Sequence, residues 1–242
     1  MTGLRINRAL AQAGVASRRR AETLVRAGRV KLNGKVVRNL AVRVDPAHDQ
    51  LSLDDRPLKL APFVYFLYHK PRGVICTHHD ERGRPCVGDI CRQLPGVPRA
   101  VGRLDRPSEG LMLLTNDGEV ALRLSHPRYG VTKEYQVTVA PPLKQRDAAR
   151  LVKGLTLNDG PGRFDELVLL AVDQNRSRLQ VVISEGRQRF IRRMFEHMEY
   201  EVKRLRRVRL GPLRLGQLKP GDVRAMGLAT EVRALRQALG LS

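Results

Sequence analysis

The chain has 242 residues, enough for a sizeable core in one large domain or two smaller ones. Lys and Arg total 45 against 24 Asp and Glu, a formal net charge of +21 that predicts a polyanionic partner, while 42% hydrophobic residues exclude a disordered basic tail. No apolar run of about 18 residues offers a membrane span, the N-terminus lacks a secretory signal, and three cysteines make no disulfide framework, so the expected location is the cytoplasm.

The first 60 residues read as a module of their own. Ile6, Leu10 and Val15 are spaced like a short helix with one apolar face, and Gly14 lies where it can end. Ser17 is the expected N-cap of a second helix, Arg18 to Ala27, with Gly28 as its stop. Asn33-Gly34 between two alternating runs, Val30 to Leu32 and Lys35 to Val37, predicts a hairpin. A further strand pair is expected at Leu51 to Leu53 and up to Leu58, turning at Asp54-Asp55. Residues 1–61 hold 13 basic and 5 acidic side chains, a local +8. Arg18, Arg19 and Arg20, taken with Arg26, Arg29, Lys31 and Lys35, concentrate charge on a small module, which favours phosphate contact over a merely solvated face.

The stretches Arg5 to Leu10, Gly14 to Arg19 and Gly28 to Gly34 resemble the RNA-binding module first seen in the fourth protein of the small ribosomal subunit. The resemblance implies that two helices and the hairpin grip structured RNA. Arg5, Arg18, Arg19, Arg20, Arg29, Lys31 and Lys35 are then its expected contacts.

Pro62, in the run Ala61 to Tyr65, marks a boundary, and an apolar run to Tyr68 follows it. Beyond it, short strand-like runs alternate with two helix candidates, Glu119 to Leu124 and Arg189 to Met198. Expected strands include Lys133 to Val139, Glu166 to Val172 and Leu179 to Ser184. Without a regular βαβ rhythm this predicts an α+β domain with a largely antiparallel mixed sheet and flanking helices. Cys76, Cys86 and Cys91 lie near His78 and His79, but no Cys-x-x-Cys pair occurs, so no metal is expected. Gly154 to Gly162 lacks the Gly-Lys-Ser/Thr ending of a nucleotide loop. The segment Lys203 to Arg209 alternates basic residues with Leu205 and Val208 and reads as a strand or edge carrying phosphate contacts.

One acid, Asp105, sits in the polar segment Gly102-Arg103-Leu104-Asp105-Arg106-Pro107-Ser108-Glu109-Gly110, just before the apolar run Leu111 to Thr115, which reads as a buried strand. An acid on a loop feeding a buried strand is either functional or a turn cap. The segment, continued through Thr115-Asn116-Asp117-Gly118, resembles the active-site motif of the pseudouridine synthases, in the branch that modifies ribosomal RNA. The resemblance covers nearly the whole chain and makes Asp105 the catalytic nucleophile.

Lys133-Glu134-Tyr135 resembles a second element of that family and places the Tyr135 ring against the target base, where a strand tyrosine in the core is the plain alternative. Glu185 to Phe195 resembles a third. Aligned on Gly186, it makes Arg192 the partner that keeps Asp105 ionised and oriented, and Ile191 the apolar wall of the pocket. Phe190 departs from the family, where many members carry Gln or Glu. Lys70-Pro71-Arg72-Gly73 matches a fourth element. Arg103, Lys70, Arg187 and Arg189 are the remaining expected substrate contacts.

Two domains are therefore expected, an RNA-binding module over 1–61 and a catalytic domain over 62–242. The implied activity is isomerisation of one uridine to pseudouridine in ribosomal RNA through base flipping, with the large subunit favoured because Arg192 to His197 and Tyr200 to Lys203 look closest to large-subunit relatives. A small-subunit substrate is the alternative, as is a non-catalytic RNA-binding or ribosome-assembly factor on the same scaffold. The expected partner is ribosomal RNA or an assembly intermediate. No membrane, nucleotide or other cofactor is implied, and a monomer is expected.

Overall fold

The computed structural model describes residues 3–15, 18–46 and 48–241; Ser17, the expected N-cap, lies outside them, as does the side chain of Arg18. In the N-terminal part, β1 (Leu4–Arg5) leads into α1 (Ile6–Gln12), followed by α2 (Arg18–Arg26). Strands β2 (Val30–Leu32), β3 (Lys35–Val37), β4 (Arg43–Val44), β5 (Leu51–Leu53) and β6 (Arg56–Leu58) complete it. Gly14 and Gly28 end their helices with φ of 75° and 72°. Asn33 and Gly34 both take positive φ, 51° and 79°, as a two-residue turn matching the strand twist requires. The sheet runs β3-β2-β5-β6, with β1 paired to β4 apart from it. Ile6, Ala9 and Leu10 of α1 bury against Ala21 and Val25 of α2 and against Val30 and Leu51. This core is separate from those of the rest of the chain.

The larger part continues with β7 (Tyr65–Lys70), α3 (Val87–Gln93), β8 (Arg99–Ala100), β9 (Glu109–Thr115), α4 (Gly118–Ser125) and β10 (Lys133–Ala140). Next come α5 (Gln145–Lys153), the hairpin β11 (Leu155–Leu157) and β12 (Gly160–Gly162), β13 (Glu166–Val172), β14 (Ser177–Ile183) and α6 (Phe190–His197). It ends with β15 (Glu201–Leu210), β16 (Leu213–Arg214), β17 (Val223–Ala225) and α7 (Arg233–Ala238). A nine-stranded sheet runs β13-β14-β10-β15-β9-β7-β17, with β8 and β16 paired at its side. Among its described pairings only β15 with β9 is parallel. The fold is thus α+β with a mostly antiparallel sheet, as the pattern predicts.

β7 and β9 are buried along their whole length, because both faces of the sheet are covered. Phe66, Tyr68, Met112 and Leu114 point to the face where α6 places Met194 and Phe195. Tyr65, Leu67, Leu111 and Leu113 point to the other, against Val120 and Leu124 of α4 and Leu235 of α7.

Helices α3, α5 and α7 are absent from the expected elements. Each is short, and their capping is atypical: the N-cap of α3 is Cys86, whose backbone N–H is bonded by Asp89 Oδ2 at 2.8 Å. In α5 only Asp147 and Leu151 are buried, too few to show a helical period. A second correction concerns β15. It lies inside the sheet, between β10 and β9, rather than at an edge. Its cations meet protein partners: Arg204 pairs with Glu109, Arg206 with Gln136 and Arg209 with Glu134.

The parallel pairing depends on Gly110. Its φ is 115°, and a Cβ there would lie 2.3 Å from the carbonyl oxygen of Arg207. Gly110→Ala is expected to destabilise the protein by about 3 kcal/mol, adding backbone strain to a backbone clash. Gly130, with φ of 58° and open space around it, serves as the control; its Ala variant costs about 1 kcal/mol. Urea denaturation of both checks this, and equal losses would mean that the close approach is not the constraint.

Candidate active site

The site is assembled on one transverse row of the sheet. Lys70 of β7 faces Gly110 of β9, Gly110 faces Arg207 of β15, and Arg207 faces Tyr135 of β10. Neighbouring strands are about 4.8 Å apart, so the row spans one nucleotide-sized width. The loop 102–108 enters β9 at the end of this row.

That loop is pinned through its backbone. Leu104 N donates to Cys76 Sγ (3.3 Å) and Ser108 N to Asp105 O (3.0 Å), closing a turn. Gly73 N donates to Arg106 O at 2.8 Å. Lys70 Nζ donates to Ser108 O, Val74 O and Pro71 O at 2.8, 2.8 and 3.0 Å. The half-buried Asp105 carboxylate itself makes no hydrogen bond or ion pair with any described residue. A rigid loop thus carries an acceptor-only group with its lone pairs uncommitted, which suits a nucleophile.

Asp105 opens into a cavity of about 460 Å³ that Tyr135 and Ile191 also line. Alternation along β10 buries Tyr135, Val137 and Val139 on one face, and Lys133 shares that face two residues earlier. Phe190 is buried in the cavity wall, edge-on to Phe164 at 6.1 Å and under the Arg187 guanidinium at 4.8 Å. An apolar plug therefore occupies position 190.

Several expected roles are corrected. Arg192 forms no ion pair with Asp105; its Nη1 donates to Val202 O (3.0 Å), and its Nη2 to Pro107 O and Ser108 Oγ (both 3.4 Å). Burial holds its pKa below the ordinary arginine value, neighbouring Arg189 adds to this, and Asp105 opposes it. Arg192 thus braces the loop from behind and acts on the carboxylate through the field. Lys70 is fully buried behind the same loop and does not line the cavity. Desolvation lowers its pKa, offset in part by Cys76, Asp105 and Glu109. Arg187 reaches the cavity but is tied to Glu185, Asp159 and Pro161 O, which joins the β11–β12 hairpin to the start of α6. Arg189 lines the mouth and pairs with Glu196 at 2.8 Å. Arg103 is exposed at the rim without a described partner.

In the N-terminal part Arg5, Arg19, Arg20 and Lys35 are exposed. Arg29 and Lys31 carry Asp54 and Asp55 as partners, so the β5–β6 turn neutralises much of the hairpin's charge. These are surface pairs of small energy, and a phosphate can compete for the cations.

Sequence reasoning missed Cys76, which anchors the loop, and Arg207, which is buried at the cavity floor. It also counted Thr115 to Gly118 only as motif. Thr115 Oγ1 and Asn116 clasp Val64 and Pro62 of the junction, and Asp117 caps α4 while accepting from Tyr65 and Arg236. Among the described residues no group of three or more His, Cys, Asp or Glu side chains is placed to hold a metal ion. No helix among them is long and apolar enough to cross a membrane.

A strongly basic chain with an uncommitted carboxylate beside a tyrosine, in a cavity large enough for a base, has the form of a nucleic-acid-modifying enzyme. The comparisons make this definite. The family model described as RNA pseudouridylate synthase matches residues 64–197, and that of the S4 domain matches residues 4–51. The chain belongs to the RNA pseudouridylate synthases, isomerases of uridine in RNA. It is 41% identical to an uncharacterized RNA pseudouridine synthase of Mycobacterium tuberculosis, over 99% of this chain and 95% of that one. It is also 41% identical to the ribosomal large subunit pseudouridine synthase B of Bacillus subtilis, over 96% and 95% of the two chains. A crystal structure of a pseudouridylate synthase matches with a TM-score of 0.64 at 29% identity, covering 96% of this chain and 99% of that one.

Proposed function

We propose that this enzyme converts one uridine of large-subunit ribosomal RNA to pseudouridine, with Asp105 as nucleophile. The observation that carries the reading is the backbone-pinned loop that presents an unbonded carboxylate to the cavity shared with Tyr135 and Ile191. The target uridine leaves its stack, at a cost of a few kcal/mol, and enters this cavity. Tyr135 packs on the base, Ile191 closes one wall, and Asp105 acts on the sugar, as nucleophile at C1′ or as the base that takes the C2′ proton. Arg103 at the rim meets the backbone of the extruded nucleotide. The large subunit is favoured by the similarity to the Bacillus subtilis enzyme that bears that name. Mapping pseudouridines in ribosomal RNA from cells with and without the protein tests this. One large-subunit position should lose its pseudouridine, whereas loss from the small subunit alone would overturn the choice of RNA.

The division at Pro62 is part of the same proposal: residues 1–61 recruit structured RNA and residues 62–242 carry the chemistry. Support comes from the separate N-terminal core and from the exposed Arg5, Arg19, Arg20 and Lys35. Deleting residues 1–61 is expected to weaken RNA binding and to flatten the slope of log affinity against log salt, because fewer counterions are released. The remaining domain should keep a cooperative unfolding transition. An unchanged slope would remove the module from phosphate contact.

A further inference from the structure

Arg207 is 3% exposed in the middle of the sheet, yet it lines the cavity. Its Nε donates to Leu111 O at 2.8 Å. Neither terminal nitrogen has a partner among the described residues, and Nη2 is sealed from solvent. Among the described residues no carboxylate lies within ion-pair distance of it. A buried guanidinium with its fork unmatched is costly unless a ligand supplies the acceptors. Lys133 lies on the same floor, and among the described residues its Nζ donates only to Val131 O, at 2.9 Å. Burial lowers the pKa of Lys133, the Arg207 charge acts in the same direction, and Asp165 and Glu185 oppose both. Arg207 and Lys133, neither with an ion-pair partner among the described residues, therefore both line the cavity.

We propose that Arg207, seconded by Lys133, is a further catalytic residue that binds the carbonyl oxygens of the extruded uracil and stabilises the negative charge collecting on it. This rests on the reading of the Asp105 cavity as the uridine site. Phosphate is the less suitable ligand for these two groups. The backbone of an extruded nucleotide stays at the rim, where Arg103 is exposed, while the base reaches the floor.

The chemistry calls for such a group. When the N1–C1′ bond breaks, its electron pair stays on the base, and the charge spreads over N1, O2 and O4. C1′ bonds to the Asp105 carboxylate, or C2′ passes its proton to that carboxylate as a C1′–C2′ double bond forms; either way the base departs as an anion. The base then turns, and C5 supplies the pair for the new C5–C1′ bond. The carboxylate departs from C1′ or hands its proton back to C2′, C5 gives its proton to solvent, and N1 takes one from solvent. A fixed cation aimed at the departing base favours the first of these steps without reorganisation.

The test uses full-length wild-type protein, Arg207→Gln and Arg207→Lys, with RNA carrying either uridine or 5-fluorouridine at the target. Fluorine withdraws electrons and makes the base a better leaving anion. Single-turnover loss of the N1-linked nucleoside is measured in nuclease digests at saturating RNA. With uridine, Arg207→Gln is expected to slow the reaction by about 10²-fold, and Arg207→Lys by less. With 5-fluorouridine the loss should shrink by about tenfold, since less stabilisation is required. The comparison of two substrates on one preparation cancels any change in folded fraction, and Arg207→Lys carries the same comparison if the Gln variant fails to fold. Equal losses on both substrates would make Arg207 structural and overturn the proposal. Wild-type protein that consumes neither nucleoside would overturn the underlying functional reading instead.

Discussion

Asp105→Asn removes isomerisation, by on the order of 10⁴-fold or more, while RNA affinity and thermal stability stay near those of the wild type. The amide is close in shape to the carboxylate but a poor nucleophile. The surrounding loop is held by backbone contacts from Cys76, Gly73 and Lys70, and none of them involves the Asp105 side chain. Stability is therefore decoupled from chemistry at this position. Tritium release from uridine labelled at C5 measures the rate, and filter binding measures affinity. A variant turning over near the wild-type rate would take Asp105 out of the mechanism.

Arg192→Met is expected to cost about 10²-fold in single-turnover rate at saturating RNA, and Arg193→Met much less. The two side chains leave α6 about 100° apart and meet different surroundings. Arg192 is 7% exposed and joins Val202 O to Pro107 and Ser108. Its loss strands buried carbonyls and frees the turn that carries Asp105, so the carboxylate loses both its brace and a neighbouring positive charge. Arg193 pairs with Asp159 at 2.8 Å, away from the nucleophile's loop. Its removal should appear mainly as lost stability. A larger rate loss for Arg193→Met would place the loop's brace one residue along.

The motif residues were legible where the chemistry requires a residue type at a fixed backbone position. Asp105, Tyr135 and Ile191, singled out from their segments, line one cavity. The N-terminal helices and hairpin were legible because glycines and Asn33-Gly34 mark their ends. The targets of long cationic side chains were not. Lys70 and Arg192 turn behind the loop to bond carbonyls, and sequence does not tell a ligand oxygen from a backbone one. Arg207 was hidden for a geometric reason. The register of β10 against β15 shifts between Glu134 and Tyr135, so Val208 is an extra residue and the alternation of Lys203 to Arg209 changes face partway. A reading by strict period cannot tell which arginine of that run points inward.

The central claim is that the Asp105 cavity isomerises uridine in large-subunit ribosomal RNA. The most direct measurement incubates purified protein with large-subunit RNA tritiated at uridine C5 and follows tritium release, with Asp105→Asn and small-subunit RNA alongside. The account predicts release that plateaus at one tritium per large-subunit RNA with wild-type protein, and none in either control. Release by the Asn variant at the wild-type rate, or only from small-subunit RNA, would contradict it.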